Sequence, residues 1–416
     1  MMTEMLLDRR TLLAGLASLA PAATFARAPA HAAVDAVLAR FVPARLPGAA
    51  VSIGRGLASP AFVARGRIAV ESTARAAGPD SLWRIYSMTK PITGMAAMIL
   101  VERSKLRLDQ PIADFLPAFA KMRVLANPGK DAKTRPASGL ITIRHLLTHT
   151  AGLSYHFIPD SPVREQYLRL GLIPALVGQE ADSAPAAPSL AIFADRLATV
   201  PLIADPGAKW SYSVSLDLLS RVIEVASGKT FDRFMSDEIF VPLGMRDTSF
   251  VVPATKLLRL STNYGIDKNG LKPIDPGATS VFGRPPPFPF GGAGLVSSAR
   301  DYDRFLLMLM GQGAIGSARI LSPATAKLAM SNLLPPQAVV PPDFGGPDGA
   351  GFGAGGDVSL RGPGAGTFGW GGAAGTLGWV DARRSVRGGV FLNYMPTDAL
   401  SVNKDLRTAL YTDLAA

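Results

Sequence analysis

The strand-like runs of this chain lie near its two ends, and most of what separates them reads as helix. Residues 49–54 and 61–69 are rich in apolar and β-branched residues and form the first hairpin of a sheet. Matching runs return only at 367–370, 376–380 and 389–394, with Arg383-Arg384-Ser385 as the turn between the last two. From Pro91 to about Ser280 the pattern is mostly helical: 92–102 is continuously apolar, 143–148 is a short helical run, and 216–226 has apolar residues at 3–4 spacing before Gly228. A sheet must bury a face, so both ends of the chain have to meet in one α/β domain from which the middle leaves and returns. Helices over 299–310 and 401–414 accompany the second half, and loops are expected at 158–190, 274–292 and 334–366. Pro285-Pro286-Pro287 cannot lie inside a helix or a central strand. This organisation reads as a sheet domain of residues 33–86 and 286–416 with residues 87–285 inserted.

The 416 residues contain no cysteine, which excludes a disulfide framework, a thiol nucleophile and a Cys-based metal site. Only His145, His149 and His156 follow the N-terminal segment, so a Ser-His-Asp hydrolase would have to draw its base from those three. The net charge of +11 is scattered, without Lys/Arg runs interleaved with aromatics, and reads as a solvated surface rather than a nucleic-acid site. Asp8-Arg9-Arg10-Thr11-Leu12-Leu13 opens a stretch free of charge to Ala26, followed by Ala30-His31-Ala32. A basic region, an apolar region and a small-x-small site make residues 1–32 a signal peptide of twin-arginine type. A periplasmic or secreted protein is expected, without stable membrane insertion after cleavage.

Ser87-Met88-Thr89-Lys90 carries chemistry if it is helical, because residues three apart share a face. Pro91 sharpens this, since proline is tolerated in a first helical turn and not in the interior. The helix must therefore begin near Ser87, placing its hydroxyl at the positive end of the helix dipole. A lysine accepts a proton only where its surroundings disfavour the ammonium form, and Trp83, Ile85, Ile92 and Met95 are expected to form that apolar surround. The spacing alone does not single out the site. Ser401-Val402-Asn403-Lys404 repeats it and reads as a capping serine with a surface lysine.

Residues 83–91 resemble the active-site serine motif of the serine β-lactamase and penicillin-binding superfamily, in the form typical of class C β-lactamases and family VIII carboxylesterases. Pro206-Gly207-Ala208-Lys209-Trp210-Ser211-Tyr212-Ser213 is similar to the second motif, and Trp370-Gly371-Gly372-Ala373 to the third. The segments 145–153 and Gly291-Gly292-Ala293-Gly294-Leu295 are further landmarks. The resemblance implies an α+β, β-lactamase-like fold: an antiparallel sheet flanked by helices, with an inserted mainly helical domain and a cleft between them. It also implies an acyl-enzyme on Ser87, with Lys90 and Tyr212 moving the proton. The backbone N–H groups of Ser87 and Ala373 would form the oxyanion hole, and Trp370, Gly371 and Gly372 would line the substrate.

Two departures bear on substrate. Val214 stands where the β-lactamase pattern has an asparagine, and Trp370-Gly371-Gly372 replaces Lys-Thr-Gly, removing a cation for a substrate carboxylate. Both favour a neutral, short-chain ester. A β-lactamase, D-peptidase, amide hydrolase or transesterase on the same framework is the enzymatic alternative, and a catalytically idle cell-envelope binding protein the alternative of another class. No Gly-x-Ser-x-Gly elbow occurs, and His145 and His149 lack the glutamate of a His-Glu-x-x-His site, so neither metal nor cofactor is expected. The two histidines are expected to bond backbone carbonyls. Replacing Arg9 and Arg10 by lysine should strand precursor in the cytoplasm, and N-terminal sequencing of the exported protein should begin at or near Ala33.

Overall fold

The computed structural model describes residues 31–158, 160–173, 186–344 and 349–415. The expected signal peptide falls outside them except for its last two residues, as does the centre of the expected loop at 158–190.

Helix α1 (Ala32–Phe41) leads into the hairpin β1 (Gly48–Arg55) and β2 (Ala61–Gly66). Helix α2 (Thr89–Glu102), helix α3 (Ser215–Ser227) and helix α4 (Ala299–Met310) follow. The remaining strands are β3 (Ala350–Phe352), β4 (Asp357–Ser359), β5 (Thr367–Gly372), β6 (Thr376–Asp381) and β7 (Val386–Phe391), and helix α5 (Val402–Ala415) ends the described chain. The seven strands form one sheet in the order β3-β4-β5-β6-β7-β1-β2, antiparallel at every step. The two ends of the chain meet where Val51 faces Val390 and Ile53 faces Gly388.

Both faces of this sheet are covered. Ala50 and Phe391 turn into the main core with α2 and α4, whereas Val51, Trp379 and Val390 enter a second core with α1 and α5. That split follows from the two-residue period of a strand. Glycines set the spacing across the meander: a Cβ at Gly388 would lie 2.3 Å from Cζ2 of Trp379, so the indole occupies the space a side chain there would need. The Asp413 carboxylate ties α5 to α1 by accepting the N–H groups of Ala33 and Val34, each at 2.9 Å. No helix among the described residues is long and apolar enough to cross a membrane.

Two expectations need correction. The expected loop at 334–366 contains β3 and β4, whose connecting glycines allow close packing on α2. A Cβ at Gly94 would stand 2.0 Å from the Ala354 carbonyl oxygen, and Gly355 N–H donates to the Leu147 carbonyl at 3.2 Å. Strands this short, separated by four residues rich in glycine, carry too little apolar alternation to stand out. The middle of the chain is likewise not wholly helical: Asn263–Asp267 and Gly270–Asp275 form a hairpin that Tyr394–Met395 joins in parallel. Pro273 and an exposed Lys272 mark an edge strand, which has no two-sided apolar run to announce it.

That hairpin reaches the site through a buried ion pair. Strand Leu82–Arg84 pairs with Val296–Ser298, and the Arg84 Nε donates to Asp275 Oδ2 at 2.6 Å with the arginine side chain wholly buried. Its remaining donors go to the carbonyls of Ser261 and Asp275 and to Ser280 Oγ and Asn393 Oδ1, so the fork is satisfied. Removing one partner of such a pair strands the other charge. Arg84→Met should therefore lower the unfolding free energy by about 3–5 kcal/mol, measured by urea denaturation.

Candidate active site

Between strand Leu82–Arg84 and α2 the chain makes one tight 3₁₀ turn, Tyr86–Met88. Tyr86 has a φ of +40°, a left-handed conformation costly for a bulky residue, and it redirects the backbone immediately before Ser87. Asn263 Nδ2 donates to the Tyr86 hydroxyl at 3.1 Å, Thr376 Oγ1 to the Ile85 carbonyl at 3.3 Å, and Tyr302 to the Met88 carbonyl at 3.0 Å. Three distant elements thus hold the turn that presents Ser87 at the head of α2.

Lys90 is fully buried one turn on, and its Nζ donates to Ser87 Oγ at 3.1 Å and to the Gly292 carbonyl at 2.7 Å. Tyr212 reaches the same oxygen from the loop before α3, its O–H donating to Ser87 Oγ at 2.7 Å. Trp370 Nε1 donates to the Tyr212 oxygen at 3.3 Å, leaving the phenol's own O–H for Ser87. Two tyrosine rings join the apolar surround expected for Lys90. Its Nζ lies 4.6 Å from the centroid of the Tyr212 ring and 5.4 Å from that of Tyr155. Trp83, Ile85, Ile92 and Met95 belong to the main core.

These groups open on a cleft of about 690 Å³. Tyr155, Phe157, Tyr212, Phe344 and Trp370 supply aromatic walls, and Gly371, Gly372 and Ala373 form the strand side. Strand β4 pairs with β5 at Phe368 and Gly369, so the main chain of Trp370–Gly372 has no strand neighbour on that side and faces the cleft. Ala373 follows at the turn, its carbonyl accepting from Thr397 Oγ1 at 2.7 Å. The two glycines are not equivalent. A Cβ at Gly372 would lie 2.3 Å from the Ile85 carbonyl oxygen and 2.2 Å from Thr376 Oγ1, whereas one at Gly371 would meet nothing closer than 3.4 Å. Val214, which stands where the β-lactamase pattern has an asparagine, is buried at the start of α3 and is not among the residues lining the cleft.

The histidines serve elsewhere than expected. His145 Nδ1 accepts from the Thr142 N–H at 3.2 Å, capping helix Ile143–Leu147, and burial brings its pKa down to about 4. His149 Nδ1 bonds the Ser213 hydroxyl at 3.2 Å, and its ring packs against Trp210, Tyr212 and Phe352. Burial and then the Lys90 charge hold its pKa well below the ordinary range. The partners of Ser87 Oγ are Lys90 and Tyr212, with no histidine among them.

Sequence reasoning passed over two residues here. Asp217 is fully buried in the first turn of α3, and its Oδ1 accepts the Gly292 N–H at 2.9 Å. Burial pushes its carboxyl up to about 6, against the opposing pull of Lys90. Helical periodicity groups Asp217 with Ser220, Arg221 and Glu224 on a polar stripe, which reads as solvent-facing. Tyr155 is buried beside the lysine, its phenol pushed up by burial and by the neighbouring Asp217 carboxylate. A lone tyrosine in a loop carries no signal for that.

The model of the Beta-lactamase family matches residues 34–412. Protein Rv1367c of Mycobacterium tuberculosis (strain H37Rv) is 37% identical over 315 residues, covering 73% of this chain and 75% of that protein. Esterase EstB of Burkholderia gladioli is 34% identical over 243 residues, 55% of this chain and 56% of the esterase. Among solved structures, EstCE1, described as a hydrolase with promiscuous acyltransferase activity, superposes with a TM-score of 0.74 at 27% identity, covering 91% of this chain and 97% of its own.

The close approach of β5 to the turn that carries Ser87 can be tested by its glycines. Gly372→Ala should cost about 1–3 kcal/mol of unfolding free energy by overpacking, while Gly371→Ala should stay within about 0.5 kcal/mol. Urea denaturation of the two variants measures the difference.

Proposed function

The chain belongs to the Beta-lactamase family of serine hydrolases and acyltransferases, and we propose that within it this protein is a carboxylesterase acting on neutral, short-chain esters. The observation that carries the substrate reading is the charge of the cleft wall. Among the described lining residues there is no lysine or arginine, and the one charged side chain is the acid Asp343. A substrate carboxylate, such as that of a β-lactam or a D-Ala-D-Ala peptide, would find no lysine or arginine in this wall to pair with. Trp370, standing in place of that cation, donates its N–H to Tyr212 instead.

The chemistry follows from the contacts at Ser87 Oγ. Serine must lose its proton as it attacks, and Lys90 and Tyr212 are the two groups within hydrogen-bond reach; the member that takes it does so from its unprotonated form, as neutral amine or phenolate, while the other keeps its hydrogen bond to Oγ. The same pair returns the proton to the leaving alkoxide and later activates water against the acyl-enzyme. The N–H groups of Ser87 and Ala373 serve the developing oxyanion; both residues line the cleft. An idle binding protein would need none of these groups converging on one hydroxyl. Export to the periplasm or beyond, inferred from residues 1–32, is part of the same proposal.

Intact-mass analysis after fluorophosphonate treatment should place a single adduct on Ser87. Ser87→Ala should abolish turnover and Ser401→Ala leave it unchanged, since Ser401 bonds Asp405 on the exposed side of α5. Catalytic efficiency on para-nitrophenyl butyrate should exceed that on benzylpenicillin by at least the ten- to hundredfold that one lost charge-assisted hydrogen bond represents, about 1.5–3 kcal/mol. Benzylpenicillin turned over as well as the ester would overturn the substrate assignment.

A further inference from the structure

Gly291 and Gly292 lie between α2 and α3, gripped from both sides. Thr93 Oγ1, one turn beyond Lys90 on α2, donates to the Gly291 carbonyl at 2.7 Å. Lys90 Nζ donates to the Gly292 carbonyl at 2.7 Å. From α3, Asp217 Oδ1 accepts the Gly292 N–H at 2.9 Å. The fit leaves no room for side chains: a Cβ at Gly291 would lie 1.9 Å from Ser220 Oγ, and one at Gly292 would lie 2.5 Å from Asp217 Oδ2. Asp217 and Lys90 therefore hold the two ends of the same residue.

We propose that Asp217 is the positioning residue for Lys90, fixing through Gly292 the carbonyl that aims the lysine at Ser87. The inference rests on the reading that Ser87 is the acylated nucleophile. A lysine head group on four rotatable bonds has many positions within reach of a serine, and two fixed acceptors select one of them. Ser87 Oγ is the first acceptor and the Gly292 carbonyl the second. The carbonyl is itself held in place by the bond its own N–H makes to Asp217.

The acid is retained at a cost. The Asp217 carboxyl is wholly buried beside Tyr155, and burial works against its charged form. Packing alone would be served better by an apolar residue of similar size. The bond to Gly292, and the electrostatic coupling of the carboxylate to Lys90, are what such a replacement would lose.

Asp217→Asn keeps an oxygen for the Gly292 N–H, and Asp217→Leu removes it. Turnover of para-nitrophenyl butyrate by Asp217→Leu should fall about ten- to hundredfold, with KM unchanged, and Asp217→Asn should recover most of the loss. The rate of fluorophosphonate labelling, normalised to the folded fraction by circular dichroism, should fall in parallel. In a Lys90→Ala background the leucine substitution should cost little more, because the residue it positions is already gone. If Asp217→Leu does not fold, Gly292→Ala makes the same test by driving a methyl group against Oδ2. Full turnover in Asp217→Leu or, should that variant not fold, in Gly292→Ala would overturn the proposal. So would a loss of the same size with and without Lys90. Neither result touches the Ser87 adduct or the ester-to-penicillin ratio, which test the underlying function separately.

Discussion

A lysine with no exposed surface, on a helix buried along almost its whole length, is the demand around which the rest of this molecule is arranged. An amine taken out of water must find acceptors inside the protein or forfeit several kcal/mol. Here they are a serine hydroxyl one turn away and a main-chain carbonyl from a segment 202 residues distant. The carbonyl can approach only because Gly291 and Gly292 lie flat between α2 and α3. The aromatic rings of Tyr155 and Tyr212 close the remaining sides with their electron-rich faces.

The sheet supplies the opposite wall. Pairing β7 with β1 brings the last third of the chain beside its beginning, and β5 then runs past the turn that carries Ser87. Gly372 permits close approach to the Ile85 carbonyl, so the strand packs directly against the turn that carries Ser87. Pairing with β4 ends at Gly369, which leaves Trp370, Gly371 and Gly372 paired with β6 alone and lining the cleft. An acyl group docked there has a sheet edge on one side and a helix N-terminus on the other.

The histidines take structural places in this fold. Burial disfavours the charged imidazole at both His145 and His149, one a helix cap and one a polar core group among aromatics. The groups that converge on Ser87 Oγ are Lys90 and Tyr212.

Sequence by itself determined what depends on neighbours along the chain. Pro91 sets the start of α2, and the i to i+3 spacing then puts Ser87 and Lys90 on one face. Gly228 in a left-handed conformation ends α3, and the turn at 382–385 sets β6 against β7. Three ordered motifs carried the family and the convergence of Ser87, Lys90 and Tyr212, though Tyr212 lies 125 residues from Ser87. What only the tertiary structure decided is which side of a residue meets protein and which meets water. Asp217 sits on a helical stripe that periodicity assigns to solvent, and is buried because Gly292 packs over it. Val214 turns inward, away from the cleft, and the strands β3 and β4 exist because a longer sheet gives them partners. Burial and pairing of this kind depend on segments far apart in sequence, and no local periodicity records which of them will meet.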